Sequence, residues 1–355
     1  MLLFVEGARH SESRKAEKSS MRPEGVIVPM FSPCMEDGQL DPAGIRGYVD
    51  YLESRSGIAS IFVRSGVGRM YTFTCDETRL MMREAIHASQ RTPILPGTAG
   101  EYDGNPDSKP SPEVYTSQTI ELSKEAQALG APAVVVILPS GLTLREDVPT
   151  EDLIFEYYRQ IDQAVDIPIL LYQPPGMPIE FQMTSSLMRR IAKLNNVAGM
   201  KLSSADETLW RELGQTAQET GFTMICGNES AFLMALFHGA QGVIGEGCNL
   251  YPELLCALKH YFDMGNLDEA EILQEKVKKA LGLKSMYSSA LVAKALARYR
   301  GFPVRVTLRP NTRYASAGYH GQDHPEPTIP DPSFITRYDE ALRKACAPYM
   351  GIFEE

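Results

Sequence analysis

The sequence has no C-x-x-C pair, no apolar run near the ~20 residues that a membrane-crossing helix needs, and no concentrated stretch of lysine and arginine. Each absence excludes something. The six cysteines, Cys34, Cys75, Cys226, Cys248, Cys256 and Cys346, are scattered and often apolar-flanked, so they read as buried thiols of a reducing, cytoplasmic setting. The opening Met1 to Val5 is too short for a secretory core and runs straight into a polar stretch through Ser20. A formal net charge of -10 argues against a nucleic-acid or anionic-membrane partner, because both need a basic surface. His10, His87, His238, His260, His320 and His324 do not cluster, so no metal site is expected. Without a P-loop, dinucleotide fingerprint or nucleophile elbow, no bound cofactor is expected either.

What is present is an ordinary globular composition, 43% hydrophobic and 23% charged, carrying a regular alternation of strand-like and helical segments. Eight strand candidates follow one another: Val26 to Phe31, Ala59 to Val63, Pro93 to Pro96, Ala133 to Leu138, Pro168 to Tyr172, Val197 to Lys201, Thr223 to Cys226 and Gly242 to Ile244. Between them, Ile45, Tyr48, Val49 and Leu52 share one helical face, Thr74 with Glu77 forms a capping box, and Thr150 stands as the cap of an apolar stripe from Leu153 to Ile161. Eight βα units predict a parallel (β/α)₈ TIM barrel. Residues 1–22 read as a flexible segment, 23–251 as the barrel, 252–309 as C-terminal helices broken at Gly265-Asn266, and 310–355 as a tail ending in a helix from Pro332 to Ala347. A long insertion at residues 99–112 follows the third strand, on the side where barrel active sites lie, and reads equally as a lid or as decoration.

Three places carry candidate chemistry. Lys201 ends the apolar strand Val197-Ala198-Gly199-Met200-Lys201. Lysine is depleted in strands and costly to bury, so a lysine turned into the barrel mouth has a lowered pKa and an amine able to attack a keto carbon. The segment alone leaves open a lysine snorkelling outward. Tyr172 ends Ile169-Leu170-Leu171-Tyr172, where a phenol can donate and accept protons, or simply pack. After the second strand, Arg64-Ser65-Gly66-Val67-Gly68-Arg69 offers backbone amides and the Ser65 hydroxyl to a carboxylate, although a plain two-glycine loop needs no function.

Taken in order, Pro33 and Asp37-Gly38, this glycine loop, Pro96-Gly97-Thr98, Tyr172-Gln173-Pro174-Pro175, Gly199-Met200-Lys201, Gly227-Asn228-Glu229, Gly239 to Ile244 with Asn249 and Pro252, and Lys294 with Arg309-Pro310 resemble the dihydrodipicolinate synthase / N-acetylneuraminate lyase family over about residues 23–310. The resemblance implies a TIM barrel with C-terminal helices, a Schiff-base lysine at Lys201, a proton-transferring tyrosine at Tyr172, and substrate contacts at Ser65, Gly66, Val67 and Ile244. It implies a homo-oligomer, tetramer or dimer. The expected reaction is class I aldol cleavage of a 2-keto acid such as pyruvate or a 2-keto-3-deoxy sugar acid, without metal. A dehydratase and a keto-acid-binding barrel without turnover are the alternatives.

The sequence also departs from that pattern. Gly66 and Val67 stand where the family carries threonines, Ser140 where it carries a tyrosine, and Met177 where the synthases carry an arginine. The loop relay of hydroxyls is therefore missing. In exchange, Arg64, Arg69 and Glu246 bring charge, and Arg69 or Glu246 is expected either to read a second polar group of the substrate or to sit in a rim salt bridge.

Overall fold

The structure, a computed structural model, describes residues 23–310 and 328–353. The expected flexible segment 1–22 and residues 311–327 and 354–355 of the expected tail lie outside the described residues. Eight parallel strands appear where the apolar runs place them: β1 Gly25–Pro29, β2 Ile58–Val63, β3 Ile94–Pro96, β4 Val134–Ile137, β5 Ile169–Gln173, β6 Val197–Leu202, β7 Thr223–Cys226 and β8 Ala240–Val243. Their order is β3-β2-β1-β8-β7-β6-β5-β4, and the two ends meet at a parallel bridge between Gly97 and Val135, where the Thr98 amide donates to the Val135 carbonyl over 3.1 Å. The sheet is thus a barrel.

The strands read as continuous hydrophobic runs because both faces are covered, one by the barrel interior and one by helices. Val134, Val135, Val136 and Ile137 are all buried. Outside them run α1 Pro42–Glu53, α2 Cys75–Ala88, α3 Pro112–Ala128, α4 Thr150–Asp162, α5 Ser185–Ile191, α6 Glu207–Thr220 and the short α7 Phe232–Phe237. The face of α1 made by Ile45, Tyr48, Val49 and Leu52 is fully buried, and the Thr74/Glu77 capping box opens α2 as expected. Thr150 is a correction. It is the first residue of α4, with Pro149 in the cap position and no side-chain cap bond. The eighth strand also starts earlier than its apolar core suggests, at Ala240.

Three helices follow the barrel, α8 Pro252–Asp263, α9 Leu267–Leu283 and α10 Ser289–Tyr299, and α11 Pro332–Cys346 packs back on them. The break between α8 and α9 falls where expected, with Gly265 at φ 75° and the Asn266 side chain accepting from the Glu269 amide. Tyr338 on α11 donates to the Ala280 carbonyl on α9, and Arg300 binds Asp339 in a nearly buried pair. No helix among the described residues is long and apolar enough to cross a membrane.

One ion pair fastens the first barrel helix to α8. Arg55, just past α1, binds both carboxylate oxygens of Glu253 at 2.8 and 2.7 Å and also donates to the Tyr51 hydroxyl and the Leu250 carbonyl. Removing one partner strands a buried charge, which costs about 3–5 kcal/mol. Glu253→Ala is therefore expected to lower the thermal midpoint clearly, whereas Arg55→Met combined with Glu253→Leu recovers most of the loss. Equal midpoints for the two variants in a melting experiment refute this account.

Candidate active site

The register of the barrel sets the central pair. Tyr172 on β5 and Lys201 on β6 are direct ladder partners, so their side chains leave the same face of the sheet. Both are buried, and the Lys201 Nζ lies 4.2 Å from the centre of the Tyr172 ring. Phe62 on β2 also meets the Tyr172 ring edge to face at 6.3 Å. The outward-snorkelling alternative for Lys201 does not hold, since the residue is only 3% exposed.

Burial pushes the Lys201 amine down to about 8, against the opposing pull of Cys248, Glu229 and Cys226. Burial raises the Cys226 thiol to about 12 and the Cys248 thiol well above its ordinary value, and it raises the Glu229 carboxyl too, helped by nearby Glu246. Among the described residues nothing forms a hydrogen bond or ion pair with the Lys201 Nζ. Tyr172 is likewise held protonated by burial, partly offset by a hydrogen bond with the Ser203 side chain.

Ser203 and Glu229 are site residues that the motif reading missed. Ser203 lies two positions beyond Lys201, hence on the same face, and that period-two offset was a usable signal. Gly227 makes room for it, because a Cβ there would stand 2.1 Å from the Ser203 Oγ. Glu229 belongs to the Gly227-Asn228-Glu229 landmark but carried no expected role. Its carboxylate accepts from the Gly247 amide at 2.8 Å.

The loop after β2 is arranged differently from expectation in one respect. The Ser65 hydroxyl is committed within the protein, donating to the Met30 carbonyl and accepting from the Gly68 amide, both at 3.0 Å. It shapes the loop. The amides of Gly66 and Val67 have no acceptor among the described residues and remain available to an anion. Gly68 must be glycine because a Cβ would come within 2.6 Å of the Met30 carbonyl. Arg69 is half-buried at φ 65°, with Cys34 and Lys294 as its electrostatic neighbours.

Ile244 closes the end of β8, fully buried, its amide on the Cys226 carbonyl at 2.7 Å. Glu246 is drawn into an ion pair with buried Lys284 at 2.8 Å, the rim salt bridge of the two expectations. Met177, at the position of the synthases' arginine, is buried.

The 99–112 insertion covers this end of the barrel. The Gly100 and Glu101 amides are anchored on Thr119 and Gln118 of α3 at 2.9 Å each. Farther along, the Lys109 ammonium lies 5.9 Å from the Tyr102 ring and 5.7 Å from the Phe181 ring, and donates to the Leu142 carbonyl. The loop therefore spans from β3 to the segments after β4 and β5.

A sequence profile of the dihydrodipicolinate synthetase family matches residues 22–320. A DapA-like lyase of Pyrococcus horikoshii is 31% identical over 292 residues, 81% of this chain and 93% of its own. A 4-hydroxy-tetrahydrodipicolinate synthase of Methanothrix thermoacetophila is 25% identical over 289 residues, 81% of this chain and 91% of its own. Among solved structures, a sialic acid aldolase of Ruminococcus gnavus superposes with a TM-score of 0.74 at 19% identity, covering 92% of this chain and 99% of that one. YagE of E. coli, solved with pyruvate, gives 0.70 at 22% identity over 90% and 98%. At those identities the two structures establish the fold.

The depressed Lys201 amine has a direct readout. Competitive acylation with peptide mapping is expected to titrate Lys201 with a midpoint near pH 8 instead of the ordinary 10.5. Because the folded pKa lies below the unfolded one, the unfolded chain binds more protons between those values. Stability from this residue is lowest below about 8 and rises with pH toward 10.5. Lys201→Met should accordingly raise the melting temperature at pH 7, by roughly 2–4 °C per kcal/mol recovered. A labelling midpoint of 10 or above contradicts the buried, unpaired amine.

Proposed function

The chain belongs to the dihydrodipicolinate synthetase family, and from that premise we propose that it is a Schiff-base lyase in which Lys201 condenses with the keto carbon of a 2-keto acid. The observation that carries this reading is the buried Lys201 amine, lowered to about 8 and, among the described residues, without a hydrogen-bond or ion-pair partner beside the Tyr172 ring. A neutral amine is the nucleophile that imine formation requires. The pyruvate complex of the structurally similar YagE supports a 2-keto acid as the ligand class.

In this reading the substrate carboxylate rests on the Gly66 and Val67 amides and the keto carbon faces Lys201. The Nζ attacks C2, the carbonyl oxygen leaves as water, and the protonated imine becomes an electron sink. Loss of the C4 hydroxyl proton then breaks the C3–C4 bond, releasing an aldehyde and leaving an enamine. Protonation at C3 and hydrolysis return pyruvate and the free amine. Tyr172, held protonated, donates to the oxygen that leaves C2 and passes protons between Ser203 and the substrate's own carboxylate or hydroxyl.

A second reading has one specific observation behind it. The β2 loop offers amides alone, since Gly66 and Val67 have no hydroxyl and that of Ser65 is committed. A barrel that captures a keto acid without turning it over fits that loop. Borohydride reduction with pyruvate, followed by peptide mass mapping, separates the possibilities. The lyase reading expects an adduct on Lys201 that disappears in Lys201→Arg. It also expects Tyr172→Phe to keep the adduct while slowing turnover of a cleavable 2-keto acid by about 10²- to 10⁴-fold. An adduct without turnover of any 2-keto acid supports capture alone, and no adduct with any of them removes the lyase reading. Product analysis distinguishes aldol cleavage from loss of water.

A further inference from the structure

Lys294 on α10 is 1% exposed, and its Nζ donates to two main-chain carbonyls, that of Ser32 at 2.7 Å and that of Thr307 at 2.8 Å. Neither acceptor is charged. Burying an ammonium on neutral acceptors is costly, so what the tie holds in place is informative. Thr307 belongs to the stretch beyond α10, and its own hydroxyl donates to the Cys34 carbonyl. The segment after β1 is thus held at two points, Ser32 by the amine and Cys34 by the threonine.

Ser32 passes that hold on to the β2 loop. Its buried hydroxyl donates to the Gly68 carbonyl at 2.8 Å. The amide of the same glycine donates to the Ser65 Oγ at 3.0 Å, and Ser65 donates in turn to the Met30 carbonyl. Gly68 is therefore fixed at both its polar groups, and a Cβ there would stand only 3.0 Å from the Ser32 Oγ. Between the two held residues, Ser65 and Gly68, lie Gly66 and Val67, whose amides have no acceptor among the described residues. A run of hydrogen bonds leads from Lys294 through Ser32 and Gly68 to these two amides, and its first link joins residues 262 positions apart. The surroundings also suit an anion. Arg69, next in the loop, is an electrostatic neighbour of Lys294, while Asp41, the carboxylate in reach of Lys294, is engaged by Arg305 at 3.2 Å.

We propose that Lys294 is a positioning residue for capture of the keto acid: through Ser32 it holds the β2 loop in the shape that presents the Gly66 and Val67 amides to the carboxylate. This inference rests on the Schiff-base reading above and adds to it a residue from a helix outside the barrel. Lys294 acts through the loop and not on the reacting atoms. Its contribution is preorganisation, because amides fixed before binding lose little freedom when the anion arrives, whereas a slack loop must be ordered by the ligand itself. The effect falls on carboxylate capture and leaves the attack of Lys201 on the keto carbon alone.

The test separates the carboxylate from the keto group. Borohydride trapping on Lys201 is titrated with pyruvate and with methyl pyruvate, which keeps the keto carbon and lacks the charge. Ser32→Ala leaves both Lys294 acceptors in place and removes the bond to Gly68. It is expected to raise the half-saturating pyruvate concentration by about 3- to 10-fold, the factor of one hydrogen bond. Methyl pyruvate should shift by less than about twofold, and the adduct yield at saturation should hold, which a general loss of structure would not allow. Lys294→Met should raise the pyruvate value as much or more, and the double variant no further than Lys294→Met alone, since both lie on one path. Should Lys294→Met fail to fold, Ser32→Ala still decides. A pyruvate value that either folded variant leaves unchanged, an equal rise for both compounds, or additive losses in the double variant overturns this inference alone. Absence of adducts with every keto compound overturns the Schiff-base reading and this inference with it.

Discussion

A lysine held at the end of a parallel strand with no ion-pair or hydrogen-bond partner among the described residues is expensive to fold around, because the charged form has given up water for little in exchange. The chain surrounds Lys201 with groups whose protons burial holds more tightly: the Tyr172 phenol, the Cys226 and Cys248 thiols and, in the same direction, the Glu229 carboxyl. Replacing any of them by an ionised partner would return the amine toward its ordinary pKa and remove its nucleophilicity. The composition of the inner shell thus follows from one requirement, that the amine be able to lose its proton near neutrality.

Lys294 shows that the requirement is necessary and not sufficient. It too is buried, and its amine is also lowered to about 8. Its Nζ, however, donates to the Ser32 and Thr307 carbonyls at 2.7 and 2.8 Å, tying the segment after β1 to the stretch beyond α10. An amine with two acceptors at close range is a structural tie, whereas the Lys201 Nζ faces the Tyr172 ring with no such acceptor among the described residues. The distinction lies in partners and access, with the same proton affinity on both sides.

This difference also marks what the sequence could disclose. The barrel was legible because eight apolar runs separated by amphipathic stretches admit few arrangements, and the cap at Thr74 and the break at Gly265 are local signals that tertiary contacts leave alone. Thr150 was misread because a threonine one residue before acidic side chains looks the same as a cap or as a first helical turn, and Pro149 decided the matter. At the site, the positions of Lys201 and Tyr172 at strand ends could be read, but their adjacency depends on a register that no single strand encodes. The commitment of the Ser65 hydroxyl, the pairing of Glu246 with Lys284 and the tie from Lys294 to Ser32 are all long-range facts. Side chains that meet across 30 or more residues leave no trace in local pattern. The role of Ser203, two residues from Lys201, was the exception, within reach of the period-two rule.

The pairing of Tyr172 with Lys201 in one rung of the β5–β6 ladder has a consequence for how such a protein can change. Spacing between neighbouring strands is set by backbone hydrogen bonds at about 4.8 Å, a length common to all sheets. The separation of phenol and amine is therefore inherited from the main chain and cannot drift by small degrees as sequences diverge. A one-residue slip would turn one of the two out of the barrel altogether. The central pair is in effect digital, present or lost, while the loops after β2, β3 and β4 vary continuously. Lineages sharing this scaffold are free to vary those loops without disturbing the pair.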